Sequence, residues 1–477
     1  MRFPFFMRGQ TTIFPQYCGK IVVCPHYYPL TMTSPLERPA PVSLSSAFRY
    51  WLKLGFISFG GPAGQIALMH TELVERRRWI SERRFLHALN YCMLLPGPEA
   101  TQLAVYIGWL MHRTHGGILA GVLFVLPSFF ILMLLSWIYL AYGNVPLVVG
   151  VLYGIKPAVV AIVLAAAWRI AKRSLKSAAL GLLALAAFLA IAVLHLPFPV
   201  IVLGAAAVGL AGGRYWPGQF QIGGGHAGAG AAYGPALIDD NSPTPAHARF
   251  SWPGLLKVAL LGTGLGVAAW LALALLSVSG AAGTLARMGW FFSKAALMTF
   301  GGAYAVLPYV YQGGVDTFHW LSATQMMDGL ALGETTPGPL IMIVAFVGFV
   351  GGWTHALAGS HPALAGAAGA AVATFFTFLP SFIFILAGGP LVESTRDNIR
   401  LTAPLTAISA AVVGVIVSLA LFFGQHVFWV AAPRPHWDGA AIALSALACV
   451  ALLRFQVGTI KLIFACAAAG LVLSYLP

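Results

Sequence analysis

Apolar residues along this chain gather in long blocks separated by short polar turns, not at every second position. The blocks run near 44–69, 85–111, 117–141, 147–168, 178–195, 198–213, 254–279, 288–310, 325–350, 364–388, 403–423, 439–453 and 459–476. No alternating strand pattern is present, so helices rather than a β-barrel are expected to satisfy the backbone. Four of the blocks are interrupted. Phe59-Gly60-Gly61-Pro62 breaks the first and Phe300-Gly301-Gly302 the eighth, while Pro96-Gly97-Pro98 breaks the second and Pro337-Gly338-Pro339 the ninth. Glycine loses the most backbone entropy on ordering and tolerates positive φ. Proline removes a donor and clashes with the preceding turn. Each interrupted block therefore predicts two half-helices meeting at a break.

The interruptions belong to a repeat. An offset of 241 carries Lys53 onto Lys294, Phe59 onto Phe300, Trp79 onto Trp320, Ser81 onto Ser322, Leu89 onto Leu330 and Pro96-Gly97-Pro98 onto Pro337-Gly338-Pro339, without a gap. An offset of 253 then carries Leu126-Pro127-Ser128-Phe129 onto Leu379-Pro380-Ser381-Phe382, and Ile155 onto Ile408. Rare residues shared at constant spacing do not come from an Ala/Leu-rich composition alone.

Composition names the solvent. Of 477 residues, 59% are apolar and 8% charged, and mean hydropathy is +0.84, whereas a soluble domain carries roughly 25% charged residues. The fold class expected is an all-α integral membrane protein in a lipid bilayer. It has two inverted-topology repeats with broken or re-entrant helices, joined by a linker and an extra transmembrane helix.

Loop charge supplies the inversion. Arg76, Arg77, Arg78, Arg83 and Arg84 lie in 71–84, but 312–325 has no Lys or Arg. Arg169, Lys172, Arg173 and Lys176 answer to an uncharged stretch near 422–429, and Arg396 and Arg400 answer to an uncharged turn near 143–147. By the positive-inside rule the halves are upside down relative to each other. If both broken blocks of each half are re-entrant hairpins, four full spans per half remain. The segments 38–53, 71–84, 113, 169–176 and the linker then share the cytoplasmic side.

The expected layout is a disordered leader at 1–43, with Met32 as a possible true start, and a first transporter repeat at 44–213. A flexible linker at 214–253 follows, containing Gly223, His226 and His247, with the histidines read as solvated spacers. A connecting transmembrane helix at 254–279 and the inverted second repeat at 285–477 complete the chain.

The net charge of +14 fits positive-inside topology and also attraction of an anion. Basic residues scattered over short loops do not fit nucleic-acid binding. Five cysteines (Cys18, Cys24, Cys92, Cys449 and Cys466) match no metal or redox spacing. No metal site, cofactor or nucleotide-binding loop is expected.

Broken helices of an inverted repeat meet near mid-membrane, where ligands bind. Half-helix N-termini there offer unpaired N–H groups to an anion; the competing reading is that the glycines only permit tight packing. The candidate substrate-binding set is Lys53, Phe59, Gly60, Gly61, Pro62, Pro96, Gly97, Pro98, Lys294, Phe300, Gly301, Gly302, Pro337, Gly338 and Pro339. Glu99 and Glu334 flank the Pro-Gly-Pro triplets at non-equivalent positions. They are candidates for proton coupling or for capping half-helices. Lys156, central in its apolar surroundings, is a candidate further positive charge, with Ser409 at the equivalent site; Asn90, Gln65, Gln102, Tyr304 and Asp328 are secondary polar candidates.

Phe59-Gly60-Gly61-Pro62, Leu95-Pro96-Gly97-Pro98, the repeated Leu-Pro-Ser-Phe and the two-half plan resemble the chromate ion transporter family in its long, two-domain form, over about 44–477. The resemblance implies a multi-pass carrier of the bacterial inner (plasma) membrane that exports chromate using the proton gradient. Chromate and protons would be its partners. Two departures are Ala303 where the first copy has Pro62, and an N-terminal stretch with no place in the family pattern. A carrier for sulfate or another tetrahedral oxyanion is the alternative within transport. An integral membrane enzyme is the alternative outside it, although the histidines fall mostly in loops. The sequence carries no signal for oligomeric state.

Overall fold

A computed structural model describes residues 39–59, 61–143, 145–220, 233–276, 282–300, 302–355, 361–394, 402–430 and 436–475. The leader up to residue 38, with Met32, Cys18 and Cys24, lies outside the described residues. So do Gly60, Gly301, Gly223, His226, Arg396 and Arg400.

The first half comprises α1 (Leu44–Ile57), α2 (Gly61–His70), α3 (Glu82–Leu94), α4 (Glu99–Tyr142), α5 (Pro146–Ser174), α6 (Ala178–Ala192), α7 (Phe198–Tyr215) and a one-turn α8 (Pro217–Phe220). After α9 (Trp252–Leu276) come α10 (Ala282–Leu297), α11 (Ala303–Tyr311), α12 (Ala323–Thr335), α13 (Ile343–Thr354), α14 (Pro362–Ser394), α15 (Thr402–Phe428), α16 (Gly439–Leu453) and α17 (Thr459–Ser474). A two-stranded ribbon, Trp429–Val430 with His436–Trp437, precedes α16. Among the described residues, six helices are long and apolar enough to cross a membrane.

The repeat governs this order. Each break falls where the sequence put it: α1 and α10 end just before the Phe-Gly-Gly runs, and α3 and α12 just before Pro-Gly-Pro. Both α2 and α11 run into a π-helical turn, Thr71–Arg76 and Gln312–Thr317. Both α3 and α12 start on an equivalent serine cap: Ser81 Oγ accepts from Arg84 N–H, and Ser322 Oγ from Gln325 N–H. This satisfies an otherwise orphaned first-turn donor. In α4 the dihedrals of His112 (φ −132°) and Arg113 (φ 58°) are non-helical. It is therefore two helices end to end, matching α13 and α14.

The halves interlock by reciprocal contacts. Gly97 N–H donates to Thr299 O at 2.7 Å, and Gly338 N–H to Ser58 O at 2.7 Å; the 241 offset exchanges these two bonds. A Cβ on Gly97 would collide with Ser381 Oγ, and one on Gly338 would lie 2.6 Å from Ser128 Cβ; Ser128 and Ser381 are themselves equivalent. Both glycines have φ well inside the positive region, 124° and 105°, so only glycine makes either crossing without strain. Likewise α5 packs on α16 and α17 of the other half, while α15 packs on α6 and α7. Contacts in which i meets j and j meets i are what a two-fold arrangement of the halves requires. Two sub-assemblies result, an inner one of broken helices with α4 and α14, and a flanking one of α5–α7 with α15–α17.

The stretch read as a flexible linker divides. Residues 214–220 continue α7 and form α8, 221–232 lie outside the described residues, and 233–251 are held down. Leu237 N–H donates to Arg78 O at 2.9 Å, Ile238 N–H to Trp79 O at 3.0 Å, and Ser81 N–H to Ile238 O at 3.0 Å. Ser81 Oγ donates to Asp240 at 2.5 Å. Ala236, Ile238 and Ala248 are buried. His247, read as a solvated spacer, sits with Nε2 3.0 Å from Trp109 O; burial pushes its pKa below the usual histidine range. Apolar residues among the Gly, Ser and Pro explain the difference: burying them offsets the entropy of ordering the segment.

Candidate functional site

One cavity of about 760 Å³ opens where the broken helices meet the flanking helices. Its inner end consists of Gly61 and Pro62 at the start of α2, Gly302 and Ala303 at the start of α11, and Met93 and Glu334. This group is self-mated. The 241 offset exchanges Gly61 with Gly302, Pro62 with Ala303 and Met93 with Glu334, so equivalent residues of both halves line the same cavity. Its walls come from Leu86, Leu89 and Asn90 of α3, Ala166 and Ile170 of α5, and Ser409 and Val412 of α15. It is also lined by His70, Thr71, Glu75, Arg169 and Arg173.

The polar groups are positioned as follows. Tyr304, one residue into α11, donates its phenol to Glu334 Oε1. Glu99 is the first residue of α4, where the partial positive charge of the helix start favours a carboxylate. Arg169 and Arg173 are one turn apart on α5, both exposed, and Arg169 is steadied by a bond from Nε to Ala165 O at 3.3 Å. His70 lies between two carboxylates, with Nδ1 3.0 Å from Glu75 and Nε2 against Glu82. Among the described residues no group of three His, Cys, Asp or Glu could hold a metal ion.

The fold brings together part of the sequence-derived set. Gly61, Pro62, Gly302, Glu99 and Glu334 all line the cavity. The Pro-Gly-Pro residues do not. Gly97, Pro98, Pro337, Gly338 and Pro339 are buried and Pro96 half-buried behind the cavity, and the glycine N–H groups are spent on the cross-bonds, so neither is free for an anion. Phe59 and Phe300 are half-buried, each N–H turned back on the residue two before it. Lys53 is exposed. Lys294 Nζ lies 5.6 Å from the ring of the exposed Trp290. Neither lysine reaches the lining. Arg169, Arg173 and Ser409 are lining residues absent from the sequence-derived set; an i, i+4 arginine pair closing an apolar helix was the available signal.

The family model described as Chromate transporter matches residues 45–210 and 286–471. The chain is 30% identical over 388 residues to the chromate transport protein of Cupriavidus metallidurans, covering 80% of this chain and 83% of that protein. It is 32% identical over 391 residues to the chromate transport protein of Pseudomonas aeruginosa, covering 81% and 82%. With the probable chromate transport protein of Synechococcus elongatus it shares 28% over 388 residues, covering 80% and 85%. No solved structure matches the chain. Matched in both halves by one family model, and aligned with these relatives over some four fifths of its length, the chain belongs to the chromate transporter family.

Proposed function

We propose that this multi-pass protein exports chromate across the bacterial inner membrane through the cavity between its halves, drawing on the proton-motive force. The observation that carries the reading is the self-mated inner end, where helix starts from both halves face one open space. A tetrahedral dianion there meets unpaired N–H groups at the starts of α2 and α11. Arg169 and Arg173 raise its local concentration on the way in.

Two arginines share the lining with Glu75, Glu99 and Glu334. An anion entering while all three carboxylates are ionised meets net repulsion, so anion and proton favour each other's binding. Outward movement of a dianion with fewer than two protons still carries net negative charge out of a cell that is negative inside. That movement gains about 2.3 kcal/mol per charge per 100 mV. The electrical part of the proton-motive force can thus drive export.

Export through an inverted pair also fits the ends of the long helices. Arg113, where α4 bends, lies beside the N-terminal segment, since His112 Nε2 is 2.7 Å from Val42 O. The rest of α4 runs on for roughly 40 Å to Tyr142. The equivalent end of α14 comes back to the arginine-rich loop, where Arg84 Nη2 meets Glu393 Oε2 at 3.0 Å. Equivalent ends at opposite faces support a two-fold axis in the membrane plane, with re-entrant hairpins at the breaks.

Everted vesicles provide the test. Chromate uptake should appear with the protein, disappear with a protonophore, and resist competition by excess sulfate. Uptake abolished by sulfate would move the reading to a general tetrahedral-oxyanion carrier, and no uptake of either anion would remove it.

A further inference from the structure

We propose that the protein contains a second, closed oxyanion half-site, the two-fold mate of the open cavity, latched by Lys156, Asp328 and Tyr139. In this proposal Lys156 becomes the anion's cationic ligand when that side opens. The inference rests on the transport reading above and extends it to the face that is shut.

Carrying the open lining across the two-fold turns exposed positions into buried ones. Asn90 is exposed, whereas its mate Ala331 is 1% exposed. Leu86 and Leu89 are half-buried, whereas Met327 and Leu330 are each 1% exposed. Where the open side has His70 and Arg169, the mate has Tyr311 and Phe422, their rings 4.7 Å apart in an edge-on contact. The mated region is thus filled by its own side chains. The inner end, being self-mated, belongs to both sides.

The polar bond across the closed region is specific to it. Asp328 on α12 is 2% exposed. Its Oδ2 accepts from Tyr139 Oη of α4 at 2.9 Å, and its Oδ1 lies 3.7 Å from Lys156 Nζ of α5. Oδ1 has no hydrogen-bond partner, so the ion pair is loose. It ties a broken helix to a flanking helix, the two bodies that must separate for this side to open. The open side lacks the bond: the mates of Lys156 and Asp328 are Ser409 and His87, and His87 Nε2 is turned away to Val392 O at 3.2 Å. Ser409 lines the open cavity, so Lys156 would line its mate. Arg169 and Arg173 answer to Phe422 and His426, which leaves Lys156 to supply the fixed positive charge on that side. Opening removes the carboxylate partner, and a dianion replaces it. Latch and ligand are then one residue used in turn.

Single cysteines replacing Asn90 or Ala331, in a chain whose five native cysteines are replaced, test this with a charged, membrane-impermeant thiol reagent. Asn90→Cys should react from one face of oriented vesicles, and Ala331→Cys from neither. Adding Asp328→Asn should raise the Ala331→Cys rate about tenfold or more from the opposite face and lower the Asn90→Cys rate. Tyr139→Phe breaks no contact between the two bodies, since α4 and α12 belong to the same one, but it frees the Asp328 carboxylate that Tyr139 positions for Lys156. It should shift both rates the same way by less, and it serves where Asp328→Asn fails to reach the membrane. Chromate should slow labelling at Ala331→Cys in the Asp328→Asn background but not after Lys156→Met is added. Equal reactivity of the two cysteines, or rates unmoved by both latch variants, overturns the closed half-site. Chromate protection that survives Lys156→Met overturns the ligand role. Labelling needs no net flux, so a failed vesicle uptake assay and a failed latch are told apart.

Discussion

Gly97 and Gly338 have the same surroundings, each donating its N–H across the two-fold to the residue just before a Phe-Gly-Gly break. Arg169 and Phe422 also occupy equivalent positions, but one is an exposed cation lining an open cavity and the other an aromatic packed on Tyr311. The halves agree where they cross and differ where they line the cavity. Crossing contacts are fixed by geometry that both copies must satisfy at once, because each bond needs the partner copy's backbone. Walls carry no such constraint, so one copy became basic and the other apolar.

The largest effect should come from breaking the agreement. Gly97→Ala and Gly338→Ala each force a Cβ into a serine of the other half and strain a backbone near φ 124° or 105°. Strain and overpacking together cost about 3 kcal/mol or more. Thermal unfolding in detergent should show similar losses for the two variants. A severe Gly97→Ala beside a silent Gly338→Ala would break the two-fold relation.

The next effect separates one equivalent pair. Arg84 and Gln325 are mates. Arg84 bridges to buried Glu393, which also takes the Tyr106 hydroxyl at 2.5 Å, whereas Gln325 only completes a helix cap. Arg84→Ala removes the cation 3.0 Å from this buried carboxylate and should cost about 3 kcal/mol or more. Gln325→Ala should cost about 1 kcal/mol or less. Comparable losses in the same unfolding assay would mean that Glu393 is not held by Arg84.

Much of the agreement was legible in the chain and most of the difference was not. The Gly-Gly and Pro-Gly-Pro breaks and the 241 and 253 offsets locate the helix ends within a few residues, because breaks are local backbone chemistry. That Gly97 and Gly338 spend their N–H groups on each other's half is a tertiary fact with no local signature. A cation cradle at Lys53 had a readable objection. In α1 the buried residues are Ala47, Tyr50, Trp51, Leu54 and Gly55, a three- and four-residue spacing that leaves Lys53 off the packed face. Glu393, near the end of an otherwise apolar helix, was the visible sign of the Arg84 pair. The open and closed state of two equivalent walls depends on how assembled bodies lean, and no window of sequence encodes it.

A third prediction sharpens the difference between the walls. Arg169→Gln removes an exposed cation lining the open cavity and loses only its long bond to Ala165 O within the same helix, so the melting temperature should hold. The chromate KM should rise about fivefold at low ionic strength, with much of that gap closing as salt is added. Phe422→Gln, at the mate, should leave low-salt KM near the parent value. If both raise KM alike, the arginine acts through packing rather than charge.

The smallest effect is expected at the lysines that precede the two Phe-Gly-Gly breaks. Lys53 is exposed, and Lys294 leans on Trp290 outside the cavity. Long cationic side chains so placed carry their charge to the interface and contribute little to a distant anion. Lys53→Ala and Lys294→Ala should each keep chromate uptake in everted vesicles within about twofold of the parent, since exposed charges contribute at most about 1 kcal/mol. A tenfold loss in both would mean that α1 and α10 turn their lysines inward during transport. The agreement between the halves would then extend beyond the crossing to the anion itself.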